Sequence, residues 1–238
     1  MITSTTSPTQ AILEVCGLDH PILRTLVDRR IADRHLVDFK LCPILPTARR
    51  PPRLYLSWDG ERKGWIQRVR RCFDAPELDR FLASVPASCR RMIDTDGTTA
   101  ELYLDDLHLH GHAEMCRILA IPGFHTSRLV IADRPPDPVA PLLAPFLELG
   151  GILANRQGHP VPRAVWVSEA RWNGQAGAAV RVLEQLDSLP PHFRALQAAL
   201  KPFRLRLYVD AVDAYDGALD VTVGLLADSD SPRINRGA

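Results

Sequence analysis

The chain has 238 residues, 46% of them hydrophobic and 24% charged, with 29 Lys and Arg against 28 Asp and Glu for a formal charge of +1. A chain of that length can bury roughly 70% of its unfolded surface, so it needs neither disulfides nor a structural metal to fold. The near-neutral balance excludes bulk attraction to nucleic acid or an anionic membrane and leaves any cationic site to a local cluster.

The five cysteines, Cys16, Cys42, Cys72, Cys89 and Cys116, are odd in number and contain no CxxC pair. They read as reduced thiols rather than a disulfide framework or zinc ribbon, which implies a cytoplasmic protein. No apolar run reaches the ~18 residues of a membrane span, and the polar Met1–Gln10 is unlike a secretory signal. Residues 1–8 and 228–238 are rich in small, polar and Pro residues and are expected to be disordered, leaving 9–227 as a single α+β domain.

In chain order, a helical stretch over Thr9–Ala32 precedes strands His35–Cys42 and Arg53–Trp58. Trp65, Val69 and Cys72 recur at helical spacing in Gly64–Ala75, and Pro76 opens a second helix striped by Leu78, Phe81, Leu82 and Val85. The period then changes to two in Thr99–Leu109 and, after a turn at Gly111, in Ala113–Ile121. A strand Arg128–Ala132, a helix Pro138–Leu153 and a strand Pro162–Trp172 follow. Helices Ala176–Leu186 and Pro191–Leu200 then lead into strands Phe203–Ala214 and Ala218–Leu226, joined by the hairpin signal Asp216-Gly217.

The order helix, helix, strand, strand recurs in four units. Each carries an apolar-aromatic triplet: Leu54-Tyr55-Leu56, Leu102-Tyr103-Leu104, Val165-Trp166-Val167 and Leu207-Tyr208-Val209. Such repetition points to duplication and to an antiparallel sheet, curled or closed into a barrel with helices outside. Leu205, Leu207 and Val209 then pack under helices, while Arg204, Arg206, Tyr208 and Asp210 take the other face. The same phase puts Lys40 with Asp38, and Arg53 with Tyr55 and Ser57, on that second face.

Lys40, Arg53, Arg204 and Arg206 are unusual residues for an inner sheet face, because desolvating each cation costs several kcal/mol without counter-charge. Three outcomes stay open. The face is solvated, with cross-strand Arg–Asp pairs; or Asp38, Glu101, Asp105 and Asp210 neutralise the cations; or an anionic ligand does.

The pieces Asp38-Phe39-Lys40, Arg53-Leu54-Tyr55 and Arg204-Leu205-Arg206-Leu207-Tyr208 resemble the barrel strands of the ABBA-type aromatic prenyltransferases. The run Phe39-Lys40, Arg53-Leu54-Tyr55, Gly64-Trp65 resembles the start of the bacterial prenyltransferases that modify ribosomal peptides of the cyanobactin type. The resemblance implies an enzyme that moves an allylic group from its diphosphate to a peptide or aromatic acceptor, without a further cofactor. It implies that Lys40, Arg53, Arg204 and Arg206 bind the diphosphate and that Tyr55, Tyr103 and Tyr208 shield the carbocation. Fixed cations stabilise a leaving diphosphate, tyrosine faces attract a cation, and a carboxylate such as Asp38 or Glu101 can take the proton the acceptor loses. The second unit departs from the pattern by placing Glu101 where Lys or Arg is expected. Only four units are legible against five in that family, which leaves open a barrel completed by a partner.

Two other readings stand beside this one. The same scaffold can hold a peptide or small anion without catalysis. His108, His110 and His112 alternate along a strand and are candidate ligands for Zn or Fe, although three ligands on one short strand span about 13 Å. Trp166 and Trp172 are candidates either for the core or for stacking on an aromatic acceptor.

Overall fold

Ten antiparallel strands close on themselves in the order β1-β10-β9-β8-β7-β6-β5-β4-β3-β2. They are β1 (Phe39–Leu45), β2 (Arg53–Trp58), β3 (Arg90–Thr95), β4 (Ala100–Asp105), β5 (Glu114–Ile121), β6 (His125–Ile131), β7 (Ile152–Gln157), β8 (Arg163–Val167), β9 (Leu205–Tyr215) and β10 (Ala218–Ala227). The helices are α1 (Pro8–Val15), α2 (Pro21–Leu26), α3 (Pro76–Ala83), α4 (Ala140–Leu147) and α5 (Pro191–Leu200), and residues 69–72 are also helical. The structure, a computed structural model, describes residues 8–18, 20–26, 39–45, 52–58, 67, 69–84, 90–105, 114–121, 123–168, 191–215 and 217–227. The expected helix Ala176–Leu186, Trp172 and both chain ends beyond 8 and 227 lie outside these residues.

Alternation within the strands sends two apolar sets to opposite sides of the wall. Leu54, Leu102, Leu119, Trp166, Leu207 and Val212 face outward and form one core with Ile12, Leu23, Leu78, Phe81, Phe146 and Leu196 of the helices. Met92, Cys116, Ile118, Leu129, Val165 and Ala211 face inward and form a second core inside the barrel. Helix α3 shows why the chain turns outward where it does. Pro76 occupies its first turn beside Glu77 and Asp79, which favour a helix N-terminus, and Leu78, Phe81 and Leu82 make its buried stripe. Among the described residues no helix is long and apolar enough to cross a membrane, and Cys16 and Cys116 are buried.

The curled antiparallel sheet with outer helices is as expected, but its closure differs from the four-unit pattern. β3 and β7 were not legible, so the chain has five hairpins rather than four and closes its own barrel. The strands Thr99–Leu109 and Ala113–Ile121 are β4 and β5, which pair with each other yet belong to successive hairpins. Hairpin β5–β6 follows β4 after only residues 106–113, too short a link for a helix pair.

The triplets also do not share one phase. Tyr55 and Tyr103 belong with the inner core, whereas Trp166 lies outside among the helices and Val165 and Val167 face in. A bulge in β9 skips Asp210, since Val223 pairs with Val209 and Thr222 with Ala211. It shifts the strand's phase, so that Ala211 continues the inner core and Val212 the outer one.

Helix α4 stops at Leu147, short of the expected Leu153, because Gly150 and Gly151 both take positive φ and launch β7. A Cβ on Gly151 would lie 2.5 Å from the Val167 carbonyl oxygen and 2.8 Å from the Trp166 indole nitrogen. Gly151→Ala is therefore expected to cost about 1–3 kcal/mol in urea denaturation. An unchanged midpoint would show that this backbone yields without strain.

Candidate active site

The five hairpin connections lie at one end of the barrel and the longer crossovers at the other, so every odd-numbered strand runs toward the hairpin end. Arg53 at the start of β2, Asp94 near the end of β3, Glu101 at the start of β4, Arg156 near the end of β7 and Arg163 at the start of β8 consequently share the hairpin end. All five are buried.

They fall into two hydrogen-bonded groups, one around Arg53 and one around Glu101. The Arg53 Nε donates to Asp94 Oδ1 at 2.5 Å, one Nη to the Asp94 carbonyl at 3.0 Å, and the other to Thr99 Oγ1 at 2.7 Å and Asp96 at 3.4 Å. Glu101 accepts from both Nη atoms of Arg156 at 3.0 and 3.2 Å, from the Tyr103 hydroxyl at 2.6 Å and from Arg163 at 3.4 Å. Arg156 Nε is satisfied by Ser127 Oγ at 2.8 Å. Arg163 also grips Asp213 through Nε and Nη2, and its guanidinium stands 4.8 Å over the Tyr215 ring. The Tyr215 hydroxyl donates to Asp220 at 3.0 Å.

This dense pairing sets the charge states. Burial alone would raise the Glu101 carboxyl, but Arg163, Arg156 and the hydrogen bonds from Arg156 and Tyr103 outweigh it and hold Glu101 well below the usual range. Burial, reinforced by Glu101, raises the Tyr103 phenol well above its ordinary value, so it stays a neutral donor. At Asp94 burial wins: the carboxyl is pushed up to about 6, with Arg53 offsetting the rise only in part.

Beside the network the barrel encloses a small cavity. Met92, Met115, Leu129, Val165 and Ala211 give it an apolar wall, while Asp94, Arg163, Asp213 and Asp220 border its polar part. Tyr55 and Tyr103 stand in it edge to face, with ring centroids 5.6 Å apart. Such a space suits a small apolar group that carries or develops positive charge.

The residues singled out in the sequence are divided by this geometry. Arg53, Tyr55, Glu101 and Tyr103 come together in the lumen. Lys40 and Arg206 do not join Arg53: in backbone register they stand opposite Ser57 and Leu226, toward the crossover end. Ser57 is four residues along β2 from Arg53, about 13 Å. Arg204 precedes β9 rather than lying in it, exposed and with a left-handed backbone that caps a short 3-10 turn. Asp38 and the run His108, His110 and His112 lie outside the described residues, as do the side chains of Lys40, Asp105, Arg206 and Tyr208. Among the described residues no His, Cys, Asp and Glu cluster is arranged to hold a metal ion.

Asp94, Arg156, Asp213 and Asp220 were missed. Asp94 and Arg156 sit on the two unrecognised strands, and Asp213 and Asp220 follow the β9 bulge or its turn. Arg163 opens a strand that was recognised, and Arg163-x-Val165-x-Val167 repeats the basic-first alternation of Arg53-x-Tyr55, so its signal was present.

No protein-family profile matches the chain, and no curated protein matches it. Solved structures do. The 5-dimethylallyl tryptophan synthase of Streptomyces coelicolor, crystallised with DMASPP and Trp, superposes with a TM-score of 0.59 at 10% identity over 97% of this chain and 96% of its own. A 6-dimethylallyl tryptophan synthase gives 0.58 at 12% identity over 94% of both chains. The fold is the prenyltransferase barrel. At 10–12% identity the likeness is one of architecture, and it extends along nearly the whole of both chains.

Proposed function

We propose that this chain transfers an allylic prenyl group from its diphosphate to an aromatic or peptide acceptor held in the barrel. The observation that carries the reading is the lumen itself. An apolar cavity holds two edge-to-face tyrosines, one of them hydrogen-bonded to the Glu101 carboxylate that two guanidiniums keep ionised at neutral pH, inside the architecture of dimethylallyl tryptophan synthases. The apolar wall takes the prenyl chain. Tyr55 and Tyr103 turn π-electrons toward the allylic cation, worth about 0.5–2 kcal/mol each.

The hairpin end is a poor place for a diphosphate, because Asp94, Asp96, Glu101 and Asp213 already pair with Arg53, Arg156 and Arg163 and Asp220 adds a further carboxylate. The donor's diphosphate belongs at the crossover end, where β1 and β9 bring Lys40 and Arg206 and where Arg204 is exposed. Tyr208, two positions beyond Arg206, would extend the shield toward that end, and Asp38 precedes the same β1 segment. Glu101 steadies positive charge from its fixed position. The balanced network also favours a second reading, a non-catalytic binder of a peptide or anion, since Arg53, Arg156 and Arg163 need no ligand.

Thermal shift with dimethylallyl and geranyl diphosphate, with and without Mg, tests the donor site. Mass spectrometry after incubation with tryptophan and with aromatic peptides tests transfer. Donor at 100 times its Kd is expected to add about 2.7 kcal/mol of stability. Arg206→Ala should lose most of that gain with the free protein nearly unchanged, whereas Arg53→Ala should destabilise the free protein. No shift with either donor would refute prenyl transfer; a shift without product would favour the binder.

A further inference from the structure

Asp94 and Glu101 are directly opposite each other on β3 and β4, two buried carboxylates in one lumen. Like charges so placed repel, and their surroundings treat them differently. Glu101 is held on both oxygens, Oε1 by Arg156 and Arg163 and Oε2 by Arg156 and Tyr103. Asp94 receives one side-chain guanidinium bond, from Arg53 Nε to Oδ1, while the other Arg53 nitrogens go to the Asp94 carbonyl, Thr99 and Asp96. Asp94 also borders the cavity beside Tyr55 and Tyr103, and Glu101 is not among the residues that line it.

On the prenyl-transfer reading, we infer that Asp94 is the catalytic proton acceptor of the lumen and Glu101 its fixed anion. In the step, the allylic C–O bond breaks with its electron pair leaving on the diphosphate. An electron pair of the acceptor forms the new bond to the allylic carbon. The proton the acceptor then loses passes to Asp94, and from there to the released diphosphate or to water. Two carboxylates whose environments separate their proton affinities are the arrangement that divides acid–base labour from electrostatic labour.

The charged and titratable groups around Asp94 agree. Arg53 and Tyr55 face it from β2, Asp96 from its own hairpin, Glu101 and Tyr103 from β4, Arg163 and Asp213 from across the cavity, and Asp220 from β10. Burial comes first among the causes that lift its carboxyl to about 6. A base of that strength is ionised at neutral pH yet still takes a proton.

Two measurements decide the inference, and one does not depend on turnover. In the full-length protein labelled with 13C at aspartate carboxyls, the Asp94 signal is expected to titrate near 6. A midpoint in the ordinary aspartate range near 4 would overturn the assignment. With dimethylallyl diphosphate and an acceptor that the wild type prenylates, Asp94→Asn is expected to lower kcat about 10²–10⁴-fold, with KM for the acceptor little changed. The rise of kcat with pH through about 6 should vanish with it. A kcat within about tenfold of wild type, or an unchanged pH limb, would overturn the role. If the wild type prenylates none of the acceptors offered, the functional reading fails and the role of Asp94 with it, whereas a prenylating wild type beside an equally active Asp94→Asn sinks the role alone. If Asp94→Asn does not fold, the wild-type kcat–pH profile decides it, and the absence of a rise through about 6 would overturn the role.

Discussion

Glu101→Ala is expected to cost about 3–5 kcal/mol of stability, because it strips the shared counter-charge from two guanidiniums that have nowhere else to go. The side chains of Arg156 and Arg163 are each only 1% exposed, so water cannot replace the carboxylate. Arg163 keeps Asp213, but Arg156 is left with the Ser127 hydroxyl alone among the partners described above. In a domain of this length the loss corresponds to a fall in Tm on the order of 10 °C. Glu101→Gln should be milder, since its amide oxygen still accepts one of the bonds.

The same change should alter the pH dependence. The folded-state value of Glu101 lies below that of the unfolded chain, so its contribution is complete above about pH 4.3 and is lost as the pH falls through the folded value. Asp94 acts in the opposite sense. Its folded value of about 6 lies above the unfolded one, so stability falls as the pH rises from roughly 4 to 6. Urea melts from pH 2.5 to 7.5 should show wild type losing stability at the acid end and Glu101→Ala losing much less there. An equal acid limb in both proteins would mean that Glu101 is not the group that carries it.

Trp166→Ala is expected to cost about 3–5 kcal/mol by cavity formation. Trp166 is 2% exposed, with its ring centroid 5.6 Å from that of Phe146 and its Nε1 donating to the Gly150 carbonyl at 2.6 Å. It therefore clamps α4 and the start of β7 to the outside of the wall, on the side away from the lumen. Trp166→Phe keeps most of the ring and should lose only the hydrogen bond and part of the packing, about 1–2 kcal/mol. Equilibrium denaturation measures both. An acceptor-stacking role would instead leave stability near wild type and raise KM for the acceptor.

Period-two alternation made β2, β4, β9 and β10 visible, because each runs long enough for one face to read apolar, and Asp216-Gly217 marked the tightest hairpin. Pro76 and Pro191 marked helix starts for a local reason, the fixed φ of proline. The outward face of Leu205, Leu207 and Val209 followed from alternation alone. β3 escaped because Arg-Arg-Met-Ile-Asp-Thr offers only two apolar residues, and β7 escaped because its Ile-Leu-Ala start continues the apolar pattern of α4 through Gly150-Gly151. A six-residue strand carries too little pattern to outweigh its neighbour.

Closure was beyond local reading. It rests on β1 meeting β10, at opposite ends of the barrel's sequence. So was the identity of the ion pairs. Glu101 meets Arg156 across 55 residues and Arg163 across 62, and those meetings depend on strand register and on which hairpins the chain forms. Cationic strand starts at Arg53 and Arg163 could be read from the sequence. Which carboxylate neutralises each, and which one is left facing the cavity, is decided only when the wall closes. A charge pair in a lumen is made by the packing of distant strands rather than by neighbours along the chain.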